Sequence, residues 1–244
     1  VTSVKYSTTK QITHTAAAEK NVSFGADNRT IVYGSERNGI SQLYIATIGR
    51  KEDPDFPNAT VVKEEPFIPD MSVERSCPKF SPDGKEIAFV QNRTKLMVAN
   101  VKTGHIREVT DGKTWYSQSY PFEFEWSPDG KWFAVEFTAN GHEPYNDVGI
   151  VSADGGEITN ITASGYMSGG VRWAMDGNAV LFQSEIFGMR AHASWGSQMD
   201  VFLCFLNQDA YDRYRLSKED YELLKASDKK TAKADTAKAP RKIA

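Results

Sequence analysis

The sequence predicts an all-β protein: a β-propeller segment of about four blades, each a four-stranded antiparallel sheet, followed by a short C-terminal helix and a disordered tail. Three observations carry this prediction. One passage is written four times, with an aromatic residue (Phe24, Phe80, Trp126, Trp173) followed three places on by an Asp (Asp27, Asp83, Asp129, Asp176). The aromatic residues recur at intervals of 56, 46 and 47 residues, a period that marks one blade per repeat. The apolar residues after each Asp also run consecutively, as in Ile87-Ala88-Phe89-Val90. That pattern suits strands buried on both faces, and so implies stacked neighbours.

The elements follow in order. Val4–Tyr6 through Lys10–Thr13 reads as a lone outer strand, because its Ile12-Thr13 ending matches Ile161-Thr162. The first full unit begins at Val22, and Gln42–Ala46 is its third strand. Some ten extra residues, including Glu52-Asp53-Pro54-Asp55-Phe56-Pro57, account for the long first interval. In the second unit Pro78-Lys79-Phe80 ends an inner strand, and Ser81-Pro82-Asp83-Gly84-Lys85 is a turn. There Pro82 presets φ, Asp83 bonds the backbone beyond it and Gly84 takes the positive φ. Glu86–Val90, Lys95–Ala99 and the alternating His105–Thr110 complete this blade, the last as a half-exposed outer strand.

The third unit repeats the plan, with Asp129-Gly130 in the turn, Val148–Val151 as third strand and Glu157–Thr162 as outer strand. The fourth lacks the Pro but keeps Asp176-Gly177, and Asp200–Phe205 is its third strand. Asp83, Gly84, Asp129, Gly130, Asp176 and Gly177 are therefore structural turn residues. After Leu206 the pattern changes. Ser217-Lys218-Glu219-Asp220 reads as a helix N-cap with an acid three residues on, opening a helix of about ten residues. From Ser227 the Lys/Ala/Thr/Asp sequence reads as disorder. The division is 1–206 for the blades, incomplete at both ends, and 207–244 for a helical insertion and charged flexible tail. The first strand could close a four-bladed ring with the last blade; the alternative adopted is a segment of a larger ring.

The bulk numbers exclude several classes. The 244 residues contain no apolar run of 18, so no membrane span is expected. A net charge of −3 argues against nucleic acid, although residues 225–244 carry +5 and the remainder −8. Cys77 and Cys204 are too few for a disulfide framework or a zinc cluster. The start, Val1-Thr2-Ser3-Val4, has neither the Met nor the apolar core of a signal peptide, so the chain reads as processed or cut from something longer.

The Ser-Pro-Asp-Gly-Lys units resemble the repeats of TolB-like and WD-type propellers. Gly188-Met189-Arg190-Ala191-His192-Ala193-Ser194-Trp195-Gly196-Ser197-Gln198, with Asn207–Glu219 after it, resembles the propeller of bacterial tricorn-like serine peptidases. The resemblance implies a periplasmic or secreted bacterial protein. It further implies a non-catalytic module that gates peptide access and docks neighbouring domains of the same parent chain, whose peptidase domain lies outside these residues. A self-contained TolB-like periplasmic scaffold that binds peptides or proteins is the alternative.

No catalytic set is legible. A peptidase needs a nucleophile, a base and an oxyanion hole in mutual reach, and no Gly-x-Ser-x-Gly elbow exists. Ser168 reads as turn chemistry before the fourth inner strand, and Ser194 and His192 lack an orienting acid. His14, His105, His142 and His192 have no metal spacing, and Asp53 and Asp55 lie in a Pro-bounded loop. The expected catalytic, cofactor and metal residues are therefore none, and no acid or histidine cluster is expected on the innermost strands. The connections Asn140–Asp147 and Ile186–Met199 should emerge on one rim, making Tyr145, Arg190, His192 and Trp195 the candidate interaction residues. Exposed end blades would also let the chain self-associate.

Overall fold

The computed structural model describes residues 1–3, 7–113, 123–139, 141, 145–189 and 197–237. The strands fall into four antiparallel meanders. The first blade is β1 (Glu19–Phe24), β2 (Thr30–Ser35), β3 (Gln42–Ile48) and β4 (Val62–Pro66). The second is β5 (Arg75–Phe80), β6 (Glu86–Gln91), β7 (Lys95–Asn100) and β8 (Ile106–Glu108). The third is β9 (Phe124–Trp126), β10 (Trp132–Phe137), β11 (Asp147–Ser152) and β12 (Thr159–Asn160). The fourth has three strands, β13 (Ser168–Ala174), β14 (Ala179–Ser184) and β15 (Asp200–Phe205).

Blades stack through apolar side chains on the middle strands. Leu43 of the first meets Phe89, Met97 and Ala99 of the second. Val90, Leu96 and Val98 meet Phe124, Phe133 and Val151 of the third. Ala134 and Val148 meet Val171, Val180 and Phe182 of the fourth. Ile87, Ala88 and Phe89 are all 0% exposed although adjacent, so the consecutive apolar run reflects a strand with two covered faces. Each such side chain contributes about 1.5–3 kcal/mol on burial. None of the clusters among the described residues joins the fourth blade to the first.

The repeated turn explains the repeated Asp. Asp27, Asp83 and Asp129 each accept the backbone N–H two residues on, at 2.8, 3.1 and 3.1 Å. Ser81 and Ser127 add a second lock, their Oγ accepting Glu86 N–H and Trp132 N–H at 3.0 Å. Gly84 and Gly130 take φ of 71° and 70°, and Asn28 fills the same position at 55°. The fourth turn differs from expectation. Ala174 cannot supply the hydroxyl and Met175 does not preset φ as proline does. There Met175, Asp176 and Gly177 form a one-turn 3-10 segment with φ of 51°, 55° and 87°.

Several expectations are corrected. The outer strands β8 and β12 are shorter than their sequence pattern, because a threonine hydroxyl ends each ladder. Thr110 Oγ1 accepts Leu96 N–H and Thr162 Oγ1 accepts Val148 N–H, both at 3.0 Å. Residues 10–13 form no strand. Thr2 bridges Thr9, Lys10 N–H donates to Val1 O at 2.9 Å, and Ile12 packs on the first blade with Val1; Val4–Tyr6 lie outside the described residues. The insertion after β3 is a cover too: Phe56 (1% exposed) and Ala59 (3%) seal the free face of the first blade, and Thr60 N–H donates to Asp53 at 2.7 Å.

The C-terminal region is more helical than expected. α1 (Gln208–Tyr214) is capped by Asn207, whose side chain accepts Ala210 N–H at 2.9 Å. α2 (Lys218–Ala237) runs for 20 residues, into the stretch expected to be disordered from Ser227. Its start matches the expected N-cap, with Asp220 N–H donating to Ser217 Oγ at 3.1 Å. The Lys/Ala/Thr/Asp composition argued for disorder, but Ala and Lys are also strong helix formers.

Candidate functional site

The first strands of the four blades converge, and residues of all four line one groove of about 380 Å3. Three of these strands are bulged at the same place. The residue three before the repeat's aromatic is left-handed in each: Asn21 (φ 57°), Cys77 (φ 53°) and Gly170 (φ 65°). The strand registers shift there, between Lys20 and Ser23, Ser76 and Lys79, and Gly169 and Arg172. A bulge leaves one residue unpaired and bends its strand. Asn21 Nδ2 meets Cys77 Sγ at 2.8 Å, joining two bulges.

The repeat's tryptophans tie these strands together. Trp126 Nε1–H donates to Lys79 O at 3.2 Å, and Trp173 Nε1–H donates to Glu125 O at 3.0 Å. Each indole thus reaches the carbonyl one residue before the aromatic of the preceding repeat. Phe80 has no ring N–H, and its backbone N–H donates instead to Ser23 Oγ at 3.1 Å.

The position before each aromatic carries the charge. It reads Ser23, Lys79, Glu125, Arg172 from the first blade to the fourth. Lys79 Nζ donates to Phe124 O at 2.5 Å and lies 4.9 Å from the Phe124 ring centroid. Arg172 stands 3.8 Å from Glu125 Oε2, which is buried without a hydrogen bond. Burial lowers the Lys79 ammonium pKa, with Glu125 opposing. Burial raises the Glu125 carboxyl, with Arg172 and Lys79 opposing.

Behind them Glu136 is buried on β10 and accepts Gly170 N–H from the bulge of β13. Burial and then the charge of Glu123 push its carboxyl up to about 7. Val22, 54% exposed, gives the first blade's side of the site an apolar surface. The cavity is thus a mixed-charge cleft with a proton-binding carboxyl beneath it.

Burial raises the Cys77 thiol, so it is not a thiolate at neutral pH. Ser168, expected in a turn, opens β13, is 1% exposed, and bonds Ser184 Oγ at 3.0 Å. His14 and His105 are exposed; His142 and His192 lie outside the described residues. Among the described residues no three His, Cys, Asp or Glu side chains converge as metal ligands.

Of the acids near the innermost strands, Glu125 lies on β9 and Glu123 lines the groove just before it. A signal existed, because the residue before each aromatic varies in charge while the aromatic recurs. The bulges gave less: Asn21 and Gly170 tolerate left-handed backbone, but Cys77 announces nothing. Of the candidate rim, Tyr145 precedes β11 and is 46% exposed; Arg190, His192 and Trp195 lie outside the described residues. Gly188, in the connection from β14 to β15, admits no side chain, because a Cβ there would sit 1.6 Å from Gln198 O.

No family model matches the chain. It is similar to the Tol-Pal system protein TolB of Francisella tularensis subsp. tularensis (strain WY96-3418), at 26% identity over 137 residues, covering 54% of this chain and 27% of that protein. The corresponding protein of subspecies mediasiatica (strain FSC147) is 26% identical over 136 residues, again 54% of this chain and 27% of that protein. Among solved structures, TolB from Acinetobacter baumannii superposes with a TM-score of 0.55 at 17% identity, covering 79% of this chain and 42% of that one. The tricorn protease superposes with a TM-score of 0.53 at 13% identity, covering 75% of this chain and 17% of that one. The chain therefore spans less than half the length of each of these proteins. The fold is that of a TolB-like β-propeller.

Proposed function

We propose that this chain is a non-catalytic, protein-binding propeller module of the bacterial periplasm that holds extended peptide segments in the groove along its first strands. The observation that carries this reading is the groove itself. Lys79 and Arg172 offer cations, Glu123 offers an acceptor, and Val22 and Phe124 offer apolar area. Peptide backbones and mixed side chains are what such a lining suits. The periplasm is inferred from the resemblance to TolB-like proteins. The rim at Tyr145, with Arg190, His192 and Trp195, is a second contact surface in the same proposal.

Display of random peptides against the immobilised chain tests it. Binders should be enriched, and Val22→Asp or Arg172→Ala, both exposed positions, should weaken them at least tenfold. Absence of enrichment, or binders indifferent to both changes, removes the groove from the account. Hydrolysis of unfolded casein by the purified chain would overturn its non-catalytic part.

A second reading is that the chain is the part of a tricorn-like serine peptidase that gates peptide access and docks its neighbouring domains. The segment from Gly188 to Gln198 favours it, since it matches the pattern of those propellers and contains a glycine that packing demands. A reading frame that encodes a peptidase domain beyond these residues would select it over the scaffold.

A further inference from the structure

Glu136 and Glu123 are directly opposed acids. The register of β9 and β10 pairs Val135 with Phe124, and one step further Glu136 N–H donates to Glu123 O at 3.0 Å. Residues opposed across antiparallel strands share a face, and like charges there repel. That face turns toward the fourth blade, where Ala134 and Val148 pack on Val171, Val180 and Phe182. Glu136 is 8% exposed, whereas Glu123 is exposed and lines the groove.

The fourth blade closes the far side of the pair. Gly170, left-handed in the bulge of β13, donates its N–H to Glu136 Oε1. A Cβ on Gly169 would lie 2.9 Å from that oxygen and 3.0 Å from Glu136 Oε2, so the carboxyl is seated directly on backbone. The charged groups on the surrounding strands are engaged elsewhere. Glu125, opposite Ala134 on the same face, is met by Arg172 of β13 at 3.8 Å. Lys79 of β5 donates to Phe124 O. Asp147 of β11 lies opposite Phe137, on the other face, and holds Thr162, Asn160 and Ser164. Glu123 is the charge that acts most on Glu136, and a proton between the two relieves their repulsion.

We propose that Glu123 and Glu136 form a one-proton switch beneath the groove, whose release of that proton makes the lining more negative and selects cationic peptide segments. With the proton present, Glu136 O–H donates to the Glu123 carboxylate while its other oxygen accepts Gly170 N–H. The two acids then carry one negative charge, and Glu123 is held toward β10. When water takes the proton, both acids are charged. Gly169 leaves Glu136 no room to retreat, so Glu123 turns out into the groove, toward Lys79 and Arg172. Burial, and then the charge of Glu123, hold the Glu136 carboxyl at about 7, which puts the negative lining on the alkaline side of neutrality. The choice of peptide rests on the groove being a binding site; the switch itself does not.

Cys77 lines the same groove and reports its charge without any peptide. The full chain is treated with a cationic (ethyltrimethylammonium) or an anionic (ethylsulfonate) methanethiosulfonate, and modification of Cys77 is timed by peptide mass. Both reagents need the same thiolate, so its own titration cancels in the ratio of their rates. The cationic-to-anionic ratio should rise about fivefold between pH 6 and pH 8. In Glu136→Gln, whose amide keeps both bonds and cannot ionise, the ratio should stay flat. In Glu123→Gln the step should move to lower pH. Cys204, on β15 and outside the groove lining, should show no step. A flat ratio in the parent, a step that survives in folded Glu136→Gln, an unmoved step in Glu123→Gln or an equal step at Cys204 overturns the switch. Absence of any displayed binder would instead overturn the peptide part alone, because the Cys77 rates are read without a ligand.

Discussion

Glu136 is the side chain whose surroundings most change its chemistry. It is buried, 8% exposed, and its carboxyl is raised to about 7 from 4.5 by burial and by Glu123. A raised carboxyl pKa means that the folded state resists the charge more than the unfolded chain does. Stability therefore falls as pH rises from about 4.5 to about 7, and this contribution is flat above that. Glu136→Gln copies the protonated acid and still accepts Gly170 N–H. The variant should match the parent in urea at pH 5 and exceed it at pH 8, by up to about 3 kcal/mol. Equal denaturation midpoints at both pH values would show that the carboxyl titrates normally. Depressed carboxyls such as Asp83, held at about 2 by Lys85 and Ser81 hydrogen bonds, act in the opposite sense: what they add is present above the ordinary carboxylate value and lost as pH falls through about 2.

At the scale of elements, the recurring aromatic is a staple between first strands as well as a core residue. Trp173→Phe keeps most of the ring but deletes the donor to Glu125 O. Losing a partly buried bond and leaving its acceptor unmet costs about 1–3 kcal/mol. We expect that loss in urea unfolding, together with faster amide exchange along β9. An unchanged midpoint would mean that the indole N–H adds nothing. The turns work at the same scale. Aspartate bonds the N–H two residues on, just ahead of the next strand, in three of them, and the fourth, lacking both Ser and Pro, settles into a different loop. Thr110 and Thr162 set the length of the outer strands, which is why alternation overestimated them.

At the scale of the whole molecule, the first and fourth blades are covered unequally. The first blade's free face is sealed by Phe56, Ala59, Val1 and Ile12. The fourth blade leaves Phe187, Met189 and Val201 at 78%, 74% and 64% exposure, an apolar surface of the kind that finds partners. Self-association should therefore proceed through the fourth blade. Light scattering at high concentration should show oligomers that Phe187→Ser reduces. A parent chain that stays monomeric at high concentration would count against this surface being adhesive. The sealing of one end was not legible: residues 50–61 look like a mere insertion, and only packing makes Phe56 a lid.

Local chemistry decided the blades, the turns and the third strands. Aspartate, proline and glycine act on their neighbours within a few residues, and a doubly covered strand must be continuously apolar; Asp200–Phe205 was legible to the residue. The bulges and the charged position beside each aromatic were decided only in three dimensions. Each depends on which particular residue a different repeat, some 46 or more residues away, places against the chain, and an apolar run shows that a strand is covered but not by what.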